Sequence, residues 1–252
     1  MAKIQTKSVM TSDRQKIVYD HYARSGRDLV IIAHGFFNSK DSVLLKELGQ
    51  ALSPRYDVIL MDFRGHGKSR GLFYWTTKEH LDLLAVLQHV QNDYRKIAVI
   101  GFSLGAATTI IAAARTQRID SIVAVSAPTC FEKIEFHFWD LDIENDIFYN
   151  ITGQGHIGKG VRPGPFWLKK ERPIDLVARV TCPILFIHGE ADWLIRPWHS
   201  QALFDQARSL KDIAILKNGP HAEYLIRKNK PETIKWIRTW LDKTLDGGER
   251  TS

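Results

Sequence analysis

Six short apolar runs, separated by helix-like segments, constrain the fold of this chain more than any other feature of its sequence. The runs are Leu29 to Ala33, Val58 to Met61, Ile97 to Ile100, Ile122 to Val125, Ile184 to Ile187 and Ile213 to Leu216. Continuous apolar runs of this length are typical of parallel strands buried on both faces. Because helical patterns lie between them, the sequence predicts an α/β fold with a doubly wound, mostly parallel sheet. Two earlier stretches, Lys3 to Met10 and Lys16 to Ala23, predict an antiparallel edge.

The segment Gly101-Phe102-Ser103-Leu104-Gly105 joins the third apolar run to an Ala-rich helical segment. The pattern G-x-S-x-G between a strand and a helix predicts a sharp turn that strains the serine backbone and lifts its hydroxyl above the sheet. Glycines on both sides remove side chains that would clash in such a turn. The following helix offers free N–H groups at its first turn, where an oxyanion can bind.

Two further residues follow later strand-like runs. Asp192 comes after the run that ends at Ile187, and His221 comes after the run that ends at Leu216. Strand ends of open α/β sheets are where ligand sites collect. A serine hydroxyl becomes a strong nucleophile when a neutral imidazole takes its proton and a carboxylate orients that imidazole. Each residue alone is more often structural, but the order serine, acid, histidine predicts nucleophilic catalysis.

On these residues the chain resembles the α/β-hydrolase superfamily, from about Leu29 to Leu241. The resemblance implies a catalytic triad of Ser103, His221 and Asp192. It also implies an oxyanion hole formed by the backbone N–H groups of Leu104 and Phe36, the latter following His34-Gly35. Glu190 lies two residues before Asp192 and is the alternative acid.

The segment from Thr129 to Arg172 breaks the alternation of strands and helices, since it is rich in aromatic residues and glycines. In α/β-hydrolases that this chain resembles, a cap is inserted at this place. We therefore predict one domain, 1–252, with a small cap insertion at about 129–172. Within it, Phe136, Phe138 and Trp139 are predicted to bind substrate, although such rings can also simply hold an insertion onto the body.

Composition is ordinary for a folded globular protein: 252 residues with 44% hydrophobic and 25% charged. The net charge of +7 is spread along the chain, so we predict no nucleic-acid partner. The sequence contains no run long enough to span a membrane and no N-terminal apolar stretch, which predicts a cytoplasmic protein. Its two cysteines lack metal-ligand spacing, and we expect neither a metal nor a cofactor.

Two motifs resemble nucleotide-binding loops. Gly65 to Ser69 ends like a phosphate-binding loop, but Asp62 stands where its first glycine is required. Gly153, Gly155 and Gly158 match the dinucleotide pattern, but the prolines and glycines that follow exclude the necessary helix. Neither motif predicts a nucleotide site.

The sequence therefore predicts a carboxylesterase-like serine hydrolase that cleaves small-molecule esters through an acyl-enzyme. The same residues would also serve a thioester, an amide or the carbon–carbon bond of a β-diketone. A non-catalytic binding module on the same fold is a further alternative. Acyl chain length, alcohol and oligomeric state are not specified by these patterns.

Overall fold

A computed structural model describes residues 3–24, 26–134 and 160–246. Its eight strands are β1 (Lys3–Met10), β2 (Lys16–Ala23), β3 (Asp28–Ala33), β4 (Asp57–Met61), β5 (Lys96–Phe102), β6 (Ser121–Val125), β7 (Ile184–Gly189) and β8 (Lys211–Leu216). They form one sheet in the order β1-β2-β4-β3-β5-β6-β7-β8. Pairing is antiparallel for β1 with β2 and β2 with β4, and parallel from β4 to β8. The predicted fold class, including the antiparallel edge, is confirmed.

The α-helices of the described residues are α1 (Val43–Leu52), α2 (Glu79–Val90), α3 (Leu104–Ala113), α4 (Pro173–Leu176), α5 (Trp198–Gln206), α6 (Leu225–Lys228) and α7 (Lys230–Leu245). Short 3₁₀ turns cover Phe131–Lys133, Val177–Arg179 and Ala222–Tyr224. Among the described helices, none is both long and apolar enough to cross a membrane.

The helices cover both faces of the sheet, because successive side chains of a strand point to opposite faces. In β3, Leu29 and Ile31 join one apolar cluster, packed with α2 and α3. Val30 and Ile32 join the other cluster, packed with α1 and α7. The parallel strands are thus buried on both faces, which explains why their sequences are continuous apolar runs rather than alternating ones.

In the loop after β4, the Asp62 side chain forms hydrogen bonds with backbone groups of the protein itself. Asp62 accepts hydrogen bonds from the backbone N–H groups of Lys40 and Lys68, at 2.7 and 2.8 Å. Gly67 has a φ of 46° and lies so close to Asp62 that an added Cβ would approach that carboxyl group to 2.4 Å. The next helix begins only at Glu79, so the helix that a phosphate-binding loop requires does not follow Ser69. The Gly153-Gly155-Gly158 pattern lies outside the described residues.

Candidate active site

Ser103 lies at the turn between β5 and α3 in a strained backbone conformation. Its φ is 50° and its ψ is −112°, a region that residues other than glycine rarely adopt. The Ser103 N–H donates to the Val125 carbonyl at 2.8 Å, which holds this conformation against the neighbouring strand. The strained turn that the sequence predicts is therefore present.

The two glycines of this turn allow three backbones to meet. A Cβ on Gly101 would lie 2.5 Å from the Gly105 carbonyl oxygen. A Cβ on Gly105 would lie 2.2 Å from the Ala33 carbonyl oxygen and 2.6 Å from that of His34. Gly105 thus lets the first turn of α3 pack directly against the end of β3, and this brings the segment 34–36 next to the Ser103 turn.

Asp192 lies in the loop after β7 and is fully buried. Both oxygens of its carboxylate have partners. Its Oδ1 accepts from the N–H groups of Leu194 and Ile195, at 3.1 and 2.8 Å. Its Oδ2 lies 2.8 Å from His221 Nδ1 and 3.2 Å from His188 Nε2. Burial alone would raise the pKa of Asp192, but the two histidines hold it well below its usual range. The carboxylate is therefore charged and fixed.

His188 has a defined tautomer. Its Nε2 lies 2.7 Å from the Ile195 carbonyl oxygen, which can only accept, so Nε2 carries the hydrogen. Its Nδ1 then accepts from the Ser200 hydroxyl at 2.6 Å. His188 Nε2 also lies 3.2 Å from Asp192 Oδ2 and helps to hold this carboxylate, a role that the sequence did not predict.

Glu190, the alternative acid, is exposed, and its carboxylate contacts Asn218 rather than His221. Its Oε2 accepts from the Asn218 N–H at 3.1 Å. Of these two carboxyl groups, Asp192 is the one in contact with the His221 imidazole.

His221 lies in the loop between β8 and α6, next to a second strained residue. Ala222 has a φ of 48°, and its N–H donates to the Ser126 hydroxyl at 3.0 Å. Ser126 itself follows β6, is buried and has a φ of 50°. Non-glycine residues in this region cost free energy and persist where surrounding structure imposes them, often at functional sites. The strained Ala222 fixes the directions of the residues on both sides of it, His221 and Glu223.

The two predicted oxyanion donors lie on adjoining segments. Leu104 is the first residue of α3, where a backbone N–H has no partner within the helix. Phe36 follows Gly35, and a Cβ on Gly35 would lie 3.4 Å from Ser103 Cβ. The segment that carries the Phe36 N–H therefore runs directly beside the serine side chain.

His34 holds the peptide that precedes Phe36. Its Nε2 accepts from the Phe63 N–H at 3.1 Å, so its Nδ1 carries the hydrogen and donates to the Gly35 carbonyl at 2.6 Å. Burial, with the neighbouring His66, lowers the pKa of His34 to about 3, so the ring is neutral at neutral pH. The Gly35–Phe36 peptide is trans, and its N–H therefore points away from the carbonyl that His34 fixes.

A cavity of about 190 Å³ opens above these residues. It is lined by Gly35, Phe36, Phe37, Asn38, Ser103, Trp193, Leu194, His221, Glu223 and Tyr224. The structure thus brings Ser103, His221 and Phe36 to one cavity, with Asp192 behind His221. Asn38 and Glu223 were not identified from the sequence. Asn38 Nδ2 donates to Glu223 Oε1, a contact between residues 185 positions apart that no local pattern could reveal.

A cluster of aromatic rings adjoins Phe36. The Phe36 ring lies 5.3 Å from Phe73 and 5.9 Å from Trp75, centroid to centroid, and Trp75 lies 5.5 Å from Phe131. Phe136, Phe138 and Trp139, the predicted substrate-binding residues, lie outside the described residues.

The described end of the predicted insertion, residues 160–172, is attached to the loop that carries these rings. The Phe73 N–H donates to the Arg162 carbonyl and the Gly164 N–H donates to the Phe73 carbonyl, both at 2.8 Å. Trp75 Nε1 donates to the Gly164 carbonyl at 3.2 Å. Within the described part of the chain, no group of three or more His, Cys, Asp or Glu residues is arranged to hold a metal ion.

Comparison with known proteins agrees with this architecture. A family model described as the alpha/beta hydrolase fold matches residues 28–149. The uncharacterized protein YqkD of Bacillus subtilis (strain 168) is 26% identical over 236 residues, which cover 87% of this chain and 73% of YqkD. The uncharacterized hydrolase YugF of the same organism is 27% identical over 239 residues, covering 90% of this chain and 78% of YugF.

Among solved structures, the esterase Pf2001 of Pyrococcus furiosus superposes with a TM-score of 0.78 at 21% sequence identity. The superposition covers 97% of this chain and 93% of the esterase. At that identity the likeness is one of fold. Together with the eight-stranded sheet and the family-model match, it shows that the chain has the α/β-hydrolase fold.

Proposed function

We propose that this protein is a serine hydrolase that cleaves carboxylic esters, with Ser103 as nucleophile, His221 as general base and Asp192 as the acid that orients it. The observation that carries the proposal is the shared cavity. Ser103 on its strained turn and His221 both line that cavity, and the His221 Nδ1–H donates to a buried, charged Asp192.

The hydrogen bond to Asp192 sets the tautomer of His221. With the hydrogen on Nδ1, Nε2 carries the lone pair that can take a proton. In the proposed reaction, the Ser103 Oγ attacks the ester carbonyl carbon while its proton passes to His221 Nε2. Asp192 stabilises the imidazolium that forms.

The tetrahedral intermediate carries negative charge on the former carbonyl oxygen. In our proposal the N–H groups of Leu104 and Phe36 donate to it, and they act strongly because they are held in place before the reaction. Collapse breaks the bond to the alcohol, which takes the proton from His221, and leaves an acyl group on Ser103. Water then attacks in the same way and releases the acid.

The test combines labelling with turnover. We expect a fluorophosphonate probe to label the wild-type protein at Ser103, and a panel of chromogenic esters with increasing acyl length to be hydrolysed. Ser103→Ala should prevent labelling and lower kcat by several powers of ten, leaving only the contribution of binding and the oxyanion donors. A folded Ser103→Ala variant with activity within about tenfold of wild type would refute the proposal.

A further inference from the structure

Glu223 is a buried carboxylate in the wall of the Ser103 cavity, and only one of its oxygens is engaged within the described structure. The residue is 6% exposed, and it lines the cavity. Its Oε1 accepts a hydrogen bond from Asn38 Nδ2. The Oδ1 of Asn38 accepts in turn from the Ser39 N–H at 2.9 Å. Oε2 makes no hydrogen bond with any described residue. Oε2 is not sealed in the interior but open to the cavity that Glu223 lines, so it is an acceptor that a ligand can reach.

The unengaged oxygen lies near the place where the ester would react. An atom placed as a Cβ on Gly35 would be 3.4 Å from Ser103 Cβ and 3.6 Å from Glu223 Oε2. Ser103 and Glu223 therefore face the same small volume above Gly35. These two distances place Glu223 Oε2 no more than 7.0 Å from Ser103 Cβ, within reach of a group a few bonds from a carbonyl carbon held at Ser103.

Among the described residues, the wall of this cavity carries an acidic side chain, Glu223, and no lysine or arginine to balance it. In a cavity with apolar walls such as Phe36, Phe37 and Leu194, a carboxylate attracts cations and repels anions more strongly than it would in water.

We propose that Glu223 is a specificity-determining residue that selects esters carrying a cationic ammonium group close to the scissile carbonyl, and that it disfavours anionic esters. This inference rests on the proposed esterase function. Glu223 Oε2 binds the ammonium group, while Asn38 holds Oε1 and keeps the carboxylate in place. The ammonium group can belong to the acyl part or to the alcohol part of the ester.

The experiment compares matched esters that differ in charge and little in shape. For the acyl side, β-alanine ethyl ester is compared with ethyl butyrate. For the alcohol side, butyrylcholine is compared with its carbon isostere, in which a tert-butyl group replaces trimethylammonium. We expect kcat/KM to favour the cationic member of at least one pair by about ten- to hundredfold, the range of one hydrogen bond or close contact to a charged group. The pair that shows the preference identifies which side carries the cation.

Glu223→Gln removes the charge but keeps an oxygen that can accept from Asn38. We expect it to reduce the cationic-to-neutral ratio of kcat/KM by about ten- to hundredfold. Glu190→Gln is the matched control, because it removes a carboxylate from the neighbouring loop that does not line the cavity. Its ratio should equal that of wild type.

Three outcomes separate the possibilities. A wild-type enzyme that hydrolyses esters without preferring either cationic member contradicts this inference and leaves the esterase function standing. The same holds if Glu223→Gln lowers both members of a pair equally, since Glu223 would then only connect the two loops. Absence of all ester turnover and of fluorophosphonate labelling would instead overturn the proposed function.

Discussion

Two buried carboxylates lie near His221, and they differ in how much of their hydrogen-bonding capacity the protein itself uses. Asp192, in the loop after β7, is completely buried and receives two backbone N–H groups and two imidazoles. Glu223, in the cavity wall, is nearly as buried but receives only the Asn38 amide among the described residues.

The difference indicates different roles. A carboxylate with every oxygen engaged can orient its neighbours but has nothing left for a ligand. A half-engaged carboxylate beside a cavity retains an acceptor for whatever enters it. Asp192 is therefore suited to hold His221, whereas Glu223 is suited to contact substrate.

The strongest test of this contrast is Asp192→Asn. The amide keeps the shape of the side chain but cannot stabilise an imidazolium, and it favours the wrong tautomer of His221. By analogy with the serine-protease triad, kcat should fall by roughly 10⁴. Steady-state kinetics with a neutral chromogenic ester, together with circular dichroism to confirm folding, measure this effect.

Glu190→Gln serves as the control for Asp192→Asn and should leave kcat on the neutral ester close to wild type. If Glu190→Gln is the inactive variant and Asp192→Asn the active one, the assignment of the acid is wrong.

A second test compares two neighbouring histidines. His34 has hydrogen-bond partners at both ring nitrogens, whereas His66 has a partner at only one of them among the described residues. His34 uses both ring nitrogens, one of them to fix the Gly35 carbonyl. His66 lies beside it, with ring centroids 5.0 Å apart. Its Nδ1 lies 3.0 Å from the Arg64 carbonyl oxygen, and its Nε2 has no partner among the described residues.

His34→Phe should lower kcat by about ten- to hundredfold with little change in KM, because a misdirected Phe36 N–H weakens binding of the transition state only. His66→Phe, in the same cluster of rings, should retain kcat. Equal kcat values for the two variants, both assayed well below their melting temperatures, would show that His34 does not position the oxyanion donor.

The sequence predicted the sheet and the serine turn because both depend on neighbouring residues. An apolar run followed by G-x-S-x-G contains the strand, the turn and the start of the helix in one stretch. The choice between Asp192 and Glu190 depended instead on which carboxyl group reaches His221. The contact of Asn38 with Glu223 and the tautomer of His34 arise only when distant segments meet, so no local pattern indicates them.

A third prediction concerns the support shared by His221 and Glu223. Ser126→Ala leaves the buried Ala222 N–H without its acceptor, which should cost about 1–3 kcal/mol of stability. Because the strained Ala222 directs both neighbours, kcat/KM should fall for cationic and neutral esters alike, unlike the selective effect of Glu223→Gln.

Ser121→Ala is the matched control for Ser126→Ala. Ser121 is equally buried at the opposite end of β6, and its Oγ is hydrogen-bonded to Thr244 Oγ1 at 2.8 Å. Urea unfolding should show a loss of stability in both variants, and the loss of kcat/KM should be confined to Ser126→Ala. A Ser126→Ala variant with wild-type kinetics would show that Ser126 does not help to position His221 and Glu223.

The last expected effect is one on stability alone, a difference in how stability depends on pH. Burial lowers the pKa of His66 from 6.5 to about 4. Above about pH 6.5 the ring is neutral in both the folded and the unfolded chain. As the pH falls from there toward 4, the unfolded chain takes up a proton at His66 that the folded chain does not, so the free energy of unfolding decreases by about 1.4 kcal/mol per pH unit. His66→Phe removes this contribution.

Asp62 and Asp82, whose pKa values burial raises to about 6 and about 7, are present in both proteins, and their effects on stability largely cancel in the comparison. Urea unfolding of wild type and His66→Phe at several pH values should therefore show a shallower decline for the variant in this window. Parallel curves would show that His66 gains a proton in the folded protein, which would in turn place a charge beside His34 and the Phe36 N–H.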